Sequence, residues 1–141
     1  MTPEQAQIIK LTFAQVMRDK GTVRLMFYDR LFTIAPEVKP LFKGDIAAQS
    51  RKLMDTLALA VGMLRDMPTL VITLEGRARR HVGYGVRDEH YDKVGEALLW
   101  TLERGLKDAF TPQVRDAWAA LYAAVARIMR NAAKGQPAAV A

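Results

Sequence analysis

Leu70-Val71-Ile72-Thr73-Leu74-Glu75-Gly76-Arg77-Ala78-Arg79-Arg80-His81 is the stretch on which the reading of this chain turns. Its apolar members Leu70, Leu74 and Ala78, and then His81, recur at helical spacing, so one helix face carries all four. The stripe is apolar until its last member, which is an imidazole. Two readings fit: a core histidine bonded to a carbonyl, or a metal ligand. Arg77, Arg79 and Arg80 run just ahead of it, either as a solvated helix face or as a site for an anion. Gly83 and Gly85 then end the helix, because glycine adopts the backbone geometry that a helix end needs.

Working outward, the same period recurs on both sides. Thr2-Pro3-Glu4-Gln5 opens a first helix as a capping box, and Ile8, Ile9, Leu11, Phe13 and Val16 supply its apolar positions. A second helix, roughly 22–33, carries Leu25, Tyr28, Leu31 and Phe32 on its stripe. Ala35-Pro36 breaks it, and a short turn holds Val38, Leu41 and Phe42. The spacing predicts a long helix over 46–65 with Ile46, Gln49, Leu53, Leu57, Ala60, Val61 and Leu64 inward, and a break at Met67-Pro68. After the histidine helix, Asp88 caps another whose stripe is Tyr91, Val94, Leu98 and Leu102. Thr111-Pro112 starts the last, with Val114, Trp118, Leu121, Tyr122, Val125 and Ile128 inward. No segment alternates with period two for long, so the fold class is all-α, with about six to eight helices.

The chain has 141 residues, which suits a single domain over 1–134 and a frayed tail over 135–141. Half of it is apolar, enough for a core. A net charge of +6 permits attraction to acidic partners but says nothing about fold. The absence of cysteine removes disulfides, thiolate zinc sites, iron–sulfur clusters and covalent C-x-x-C-H attachment of a cofactor. The N-terminus is too polar for a signal peptide, and 53–64 is too short and too interrupted by Asp55 to span a membrane. The expectation is a soluble, cytoplasmic protein.

Few residues can do chemistry. Of the two histidines, His90 sits beside Asp88 and Glu89 and reads as solvated. Tyr28 and Gln49 each interrupt an apolar stripe with a hydrogen-bonding head. They either bond within the core or face a polar ligand, because a buried head left alone costs roughly 1–3 kcal/mol. Met54 and Met63 read as core filler. There is no nucleophile triad, paired-histidine motif or phosphate loop. No basic stripe suits a groove-reading helix, so neither nucleic acid nor membrane is an expected partner.

Several motifs together resemble one family. Phe27-Tyr28-Asp29-Arg30-Leu31-Phe32, Pro36 to Phe42, and Gln49-Ser50-Arg51-Lys52-Leu53-Met54 come first. Arg80-His81, Tyr84-Gly85-Val86, Tyr91, Val94-Gly95 and Ala117-Trp118 follow in the same order. The pattern, from about residue 4 to 130, is similar to bacterial single-domain globins, close to the haem domain of flavohaemoglobins and to the Hell's Gate type of globin. The resemblance implies a globin fold around one pocket that holds haem b (iron protoporphyrin IX) non-covalently. His81 resembles the proximal iron ligand, Phe42 the aromatic wedged against the porphyrin, and Tyr91 the tyrosine against the proximal imidazole. Tyr28 and Gln49 resemble the distal pair that stabilises a bound ligand, with Leu53 limiting room above the iron. Lys52 and Arg80 are placed to reach the propionates.

The function so implied is reversible O₂ binding at a pentacoordinate ferrous iron. A phenol and an amide donating to bound O₂ imply slow release, which suits nitric oxide dioxygenation with O₂ and NO as ligands. Storage, transport or ligand sensing without turnover is the alternative, and a cofactor-free helical interaction module is the remote one. Two departures bear on this. Alignment on Trp118 puts Ala133 where flavohaemoglobins carry a glutamate that strengthens the proximal imidazole. The sequence also ends at Ala141, so the expectation is that electrons come from a separate reductase.

Overall fold

The capping box forms as the sequence predicts. In this computed structural model, which describes residues 2–41, 55–83 and 88–133, Thr2 and Gln5 exchange hydrogen bonds of 3.1 Å at the head of α1 (Pro3–Val16). A single 3₁₀ turn, Met17–Asp19, leads into α2 (Lys20–Ile34), and a second 3₁₀ segment, Pro36–Leu41, follows Ala35. Residues 55–62 are helical (α3), and 63–65 turn. Then come α4 (Met67–Gly83), α5 (Asp88–Leu106), a 3₁₀ turn (Lys107–Ala109) and α6 (Pro112–Ala133). The described residues contain no strand.

Pro68 lies in the first turn of α4, where its missing N–H costs nothing, so Met67-Pro68 starts a helix that 63–66 precede as the break. Asp88 is likewise already helical rather than a cap. Thr111 caps α6, its hydroxyl accepting from the Val114 amide at 3.3 Å.

The helices pack in pairs: α2 on α5, α4 on α6, and α1 against both α6 and α5. Two buried clusters result. The larger joins α1, α2, α5 and α6 through Ile9, Phe27, Leu31, Leu102, Leu106 and Trp118. The smaller lies around α4, the first turn of α5 and the end of α6, through Leu70, Leu74, Tyr91, Ile128 and Met129.

Three further expectations fail. Leu11 and Leu25 are 62% and 75% exposed, so neither belongs to an inner stripe. On α1 the buried positions are Ala6, Ile9, Thr12 and Val16, and on α2 they are Val23, Phe27, Tyr28 and Leu31. Thr12 displaced the more apolar Leu11 because its hydroxyl has two uses. It donates to the Ile8 carbonyl at 2.7 Å and accepts the Trp118 indole N–H at 2.9 Å. His90 is the third: it is 7% exposed, not solvated. It lies four residues before Val94 and seven before Ala97, on the inward face of α5, and that periodicity outweighs its acidic neighbours in sequence.

Candidate functional site

Tyr28 is buried on α2, with the Phe27 ring edge-on at 5.0 Å and the Phe32 ring tilted at 5.8 Å. Such ring pairs add roughly 0.5–1.5 kcal/mol each, and contact on two sides restricts the phenol to a narrow arc. Phe32 is itself covered by the Lys39 ammonium at 5.9 Å, so the 3₁₀ segment after α2 buttresses the same aromatic group.

The opposite cluster is built on α4. Leu70 and Leu74 are almost wholly buried there, and the helix runs unbroken to Gly83. Position 81 falls two turns beyond Leu74, in register with the face that Leu74 buries. The side chains of Arg80 and His81 lie outside the described part, although both positions are helical. Phe42, Gln49, Lys52 and Leu53 lie outside the described residues altogether. Ala133 is the last residue of α6.

Tyr91, in the first turn of α5, is buried against that α4 face. Two neighbours fix it. The Tyr122 hydroxyl of α6 donates to its carbonyl at 2.5 Å. The Arg130 guanidinium lies over its ring at 5.6 Å, and Arg130 also pairs with Asp92 at 2.6 Å. Gly95 makes this geometry possible. A Cβ there would stand 2.7 and 2.9 Å from two carbons of the Tyr122 ring, so only glycine lets that ring lie on the α5 backbone. Burial raises the Tyr122 phenol far above its ordinary range, against a lowering by Arg130, while Tyr91 and Asp92 push it further up. The phenol therefore stays protonated and remains a donor at any physiological pH.

Tyr122 and Gly95 are the residues whose roles sequence reasoning missed. The signal was available: a tyrosine at an inward position of one helix and a glycine one turn after Tyr91 on another. Nothing in a single sequence pairs them across space. A small apolar cavity also exists, lined among others by Phe13, Val23, Phe27, Leu98 and Trp118. It sits within the larger cluster, away from Tyr91 and α4, and has little more room than one water-sized molecule needs. Among the described residues no group of three or more His, Cys, Asp or Glu side chains could hold a metal ion. None of the described helices is long and apolar enough to cross a membrane.

The Globin family model matches residues 25–129. A flavohemoprotein of Deinococcus radiodurans is 34% identical over 139 residues, covering 96% of this chain and 34% of that protein. One from Vibrio cholerae is 31% identical over 131 residues, covering 91% and 33%. The chain thus spans about a third of the length of these curated relatives. Among solved structures, a bacterial globin from Campylobacter jejuni superposes with a TM-score of 0.82 at 26% identity, over 95% of this chain and 97% of that one.

Proposed function

The chain belongs to the globin family, and on that premise we propose that it holds one haem b non-covalently through His81 and binds O₂ reversibly on the opposite face. We further propose that its enzymatic use is dioxygenation of nitric oxide, with electrons from a separate reductase. Membership of the family implies haem binding. The residues present suit such a group: haem would ask the chain for a donor to its iron, an apolar slot and a cation at its edge. The α4 face supplies Leu70 and Leu74 as the apolar approach to position 81, and Tyr91 packs against that face.

When bound, haem supplies an iron that takes up O₂ and lets NO react with it to give nitrate. The chain does the rest. His81 would ligate and orient, with Phe42 and Tyr91 restricting the plane of the group. Tyr28 would donate its O–H, and Gln49 an amide N–H, to the negative charge that O₂ gains on binding. Charge-assisted bonds of this kind contribute roughly 1.5–3 kcal/mol, and CO, carrying little charge, gains less. Leu53 would exclude water, while Lys52 and Arg80 would pair with the propionates. An exposed pair of that kind adds only about 0–1 kcal/mol, so they tune retention rather than decide it.

The observation that carries the reading is Tyr28: a phenol buried on α2 between two aromatic rings in a chain of this family. Reversible O₂ storage, transport or sensing needs the same pocket without turnover. Absorption spectra of the ferric, ferrous and O₂-exposed protein test the first half of the proposal, and a Soret band that shifts between the three is the expected result. Nitrate formed from NO and O₂ with a supplied reductase tests the second half. A stable O₂ complex that yields no nitrate would leave storage or sensing. No Soret band would defeat the haem reading itself.

A further inference from the structure

Trp100 is only half buried, and two guanidinium groups from different helices lie over its ring. Arg30 of α2 stands 5.1 Å from the ring centroid and Arg104 of α5 stands 4.8 Å from it. Neither has a carboxylate within ion-pair distance among the described residues, whereas Arg130 at the other end of the molecule is paired with Asp92. The arrangement holds two like charges beside one indole. Cation–π attraction to the ring offsets part of that repulsion. A guanidinium lying on an aromatic face keeps its in-plane N–H groups available, and these match a carboxylate in pairs. A third cation follows Arg104 by three residues in the chain. Lys107, exposed and just past the end of α5, has φ 53°, a left-handed backbone that glycine or asparagine would adopt more easily.

We propose that Arg30, Trp100 and Arg104 form a docking surface for an acidic protein partner, whose aspartate or glutamate side chains pair with the two guanidiniums. Tryptophan and arginine are the residue types in which interface energy concentrates. Charge selects the occupant. A second copy of this chain carries the same +6 and is repelled. A nucleic acid presents an unbroken row of phosphates, whereas here each arginine follows an exposed carboxylate directly in the chain, Asp29 before Arg30 and Glu103 before Arg104. Discrete carboxylates set among cations, as on a folded protein, fit that alternation.

The test uses the purified full chain, reduced and under CO, and a synthetic helical peptide with glutamate at every fourth position as the probe. The chain has two tryptophans, so the two indole N–H resonances act as sensor and control. Trp118 is 1% exposed and its indole N–H is bonded to Thr12, so it should stay still while Trp100 moves with added peptide. Arg30→Gln with Arg104→Gln should weaken the peptide about tenfold or more at low salt. Arg115→Gln with Arg127→Gln removes the same charge from exposed positions on α6 and should weaken it by no more than about twofold. Equal weakening in the two double variants, or a Trp100 resonance that ignores the peptide, would overturn the proposal. So would a Trp100 shift as large with duplex DNA at the same salt, or one that follows protein concentration alone. The readout is independent of the O₂ chemistry proposed above, so either idea can fail without the other.

Discussion

The two buried clusters differ in what their polar groups hold together. In the larger, the polar groups other than the Tyr28 phenol tie the scaffold to itself. Thr12 joins α1 to α6 through Trp118, and the Thr101 hydroxyl returns to the Ala97 carbonyl at 2.8 Å within α5. In the smaller, the bond runs from α6 to the backbone beside a side chain proposed to face the haem, since Tyr122 holds Tyr91 by its carbonyl. The first arrangement stabilises the fold wherever a ligand sits. The second fixes one ring relative to α4, the helix that carries position 81, which is how a site is held rigid enough to keep a cofactor. If the division is real, substitutions in the two clusters, Tyr28 apart, must separate cleanly into losses of stability and losses of haem.

The largest expected effect is at α4. His81→Ala should abolish stable haem retention, with added imidazole restoring a Soret band. His90→Ala should leave the spectrum unchanged, but because His90 is buried it should lower the unfolding midpoint. A spectrum lost in the His90 variant and kept in the His81 variant would reverse the assignment. Next is Tyr28→Phe. The range of roughly 1.5–3 kcal/mol for a charge-assisted bond corresponds to an O₂ dissociation rate raised about 10- to 150-fold, with CO dissociation moving much less. Stopped-flow replacement of O₂ by CO reads both. An unchanged O₂ rate would mean that the phenol serves packing alone and that Tyr28 belongs wholly to the scaffold.

The helical order and the main stripes were legible because amphipathic period is a local property. Thr2, Pro3 and Gln5 announced α1, and Thr111 with Pro112 announced α6. What failed depended on partners far away in sequence. Leu11 reads as more buried than Thr12 until Trp118, 106 residues on, is seen to need a hydrogen-bond acceptor. Leu25 fits a stripe by spacing, yet α2 packs on α5 through Val23, Phe27 and Leu31, one position round the helix. His90 reads as solvated from its acidic neighbours alone, but helical period places it inward. Of the site, the positions of Tyr28 and Tyr91 were readable as inward, while the hook between Tyr91, Gly95 and Tyr122 was not. Its two halves sit on separate helices, and only their packing joins them.

Gly95→Ala and Thr12→Val set the clusters directly against each other. Alanine usually stabilises a helix over glycine by about 1 kcal/mol. Here its Cβ would meet the Tyr122 ring at 2.7 Å, and the ring cannot retreat without giving up its bond to Tyr91. Overpacking of this kind costs roughly 1–3 kcal/mol, so the clash wins. Haem transfer to an excess of apo-acceptor protein should then speed up. Thr12→Val leaves the buried Trp118 N–H without its acceptor, at a similar cost of roughly 1–3 kcal/mol, but it should leave haem transfer close to the parent rate. Equal acceleration by the two would mean that haem loss follows global stability, and the division between clusters would fall.

Tyr122→Phe should have the smallest effect, and it carries a sign that can be checked. The Tyr91 carbonyl lies within α5 and also faces the Gly95 amide one turn on, so removing the Tyr122 hydroxyl does not orphan it. The loss at neutral pH should be near the ordinary value of about 0.5–1.5 kcal/mol. High pH distinguishes this tyrosine from an exposed one. Its folded-state pKa is raised, chiefly by burial, above the unfolded value of about 10. Below that value both states bind the proton and the group adds no pH dependence. Above it the unfolded chain ionises while the folded one stays protonated, so the folded state binds more protons and stability falls as pH rises, by at most about 1.4 kcal/mol per unit from this group. The difference between parent and Tyr122→Phe, measured by urea unfolding at pH values on either side of 10, should therefore shrink in alkali. A difference that stays constant across that range would mean that the phenol ionises in the folded protein as freely as in the unfolded chain, and that Tyr91 is not held by a buried, protonated donor.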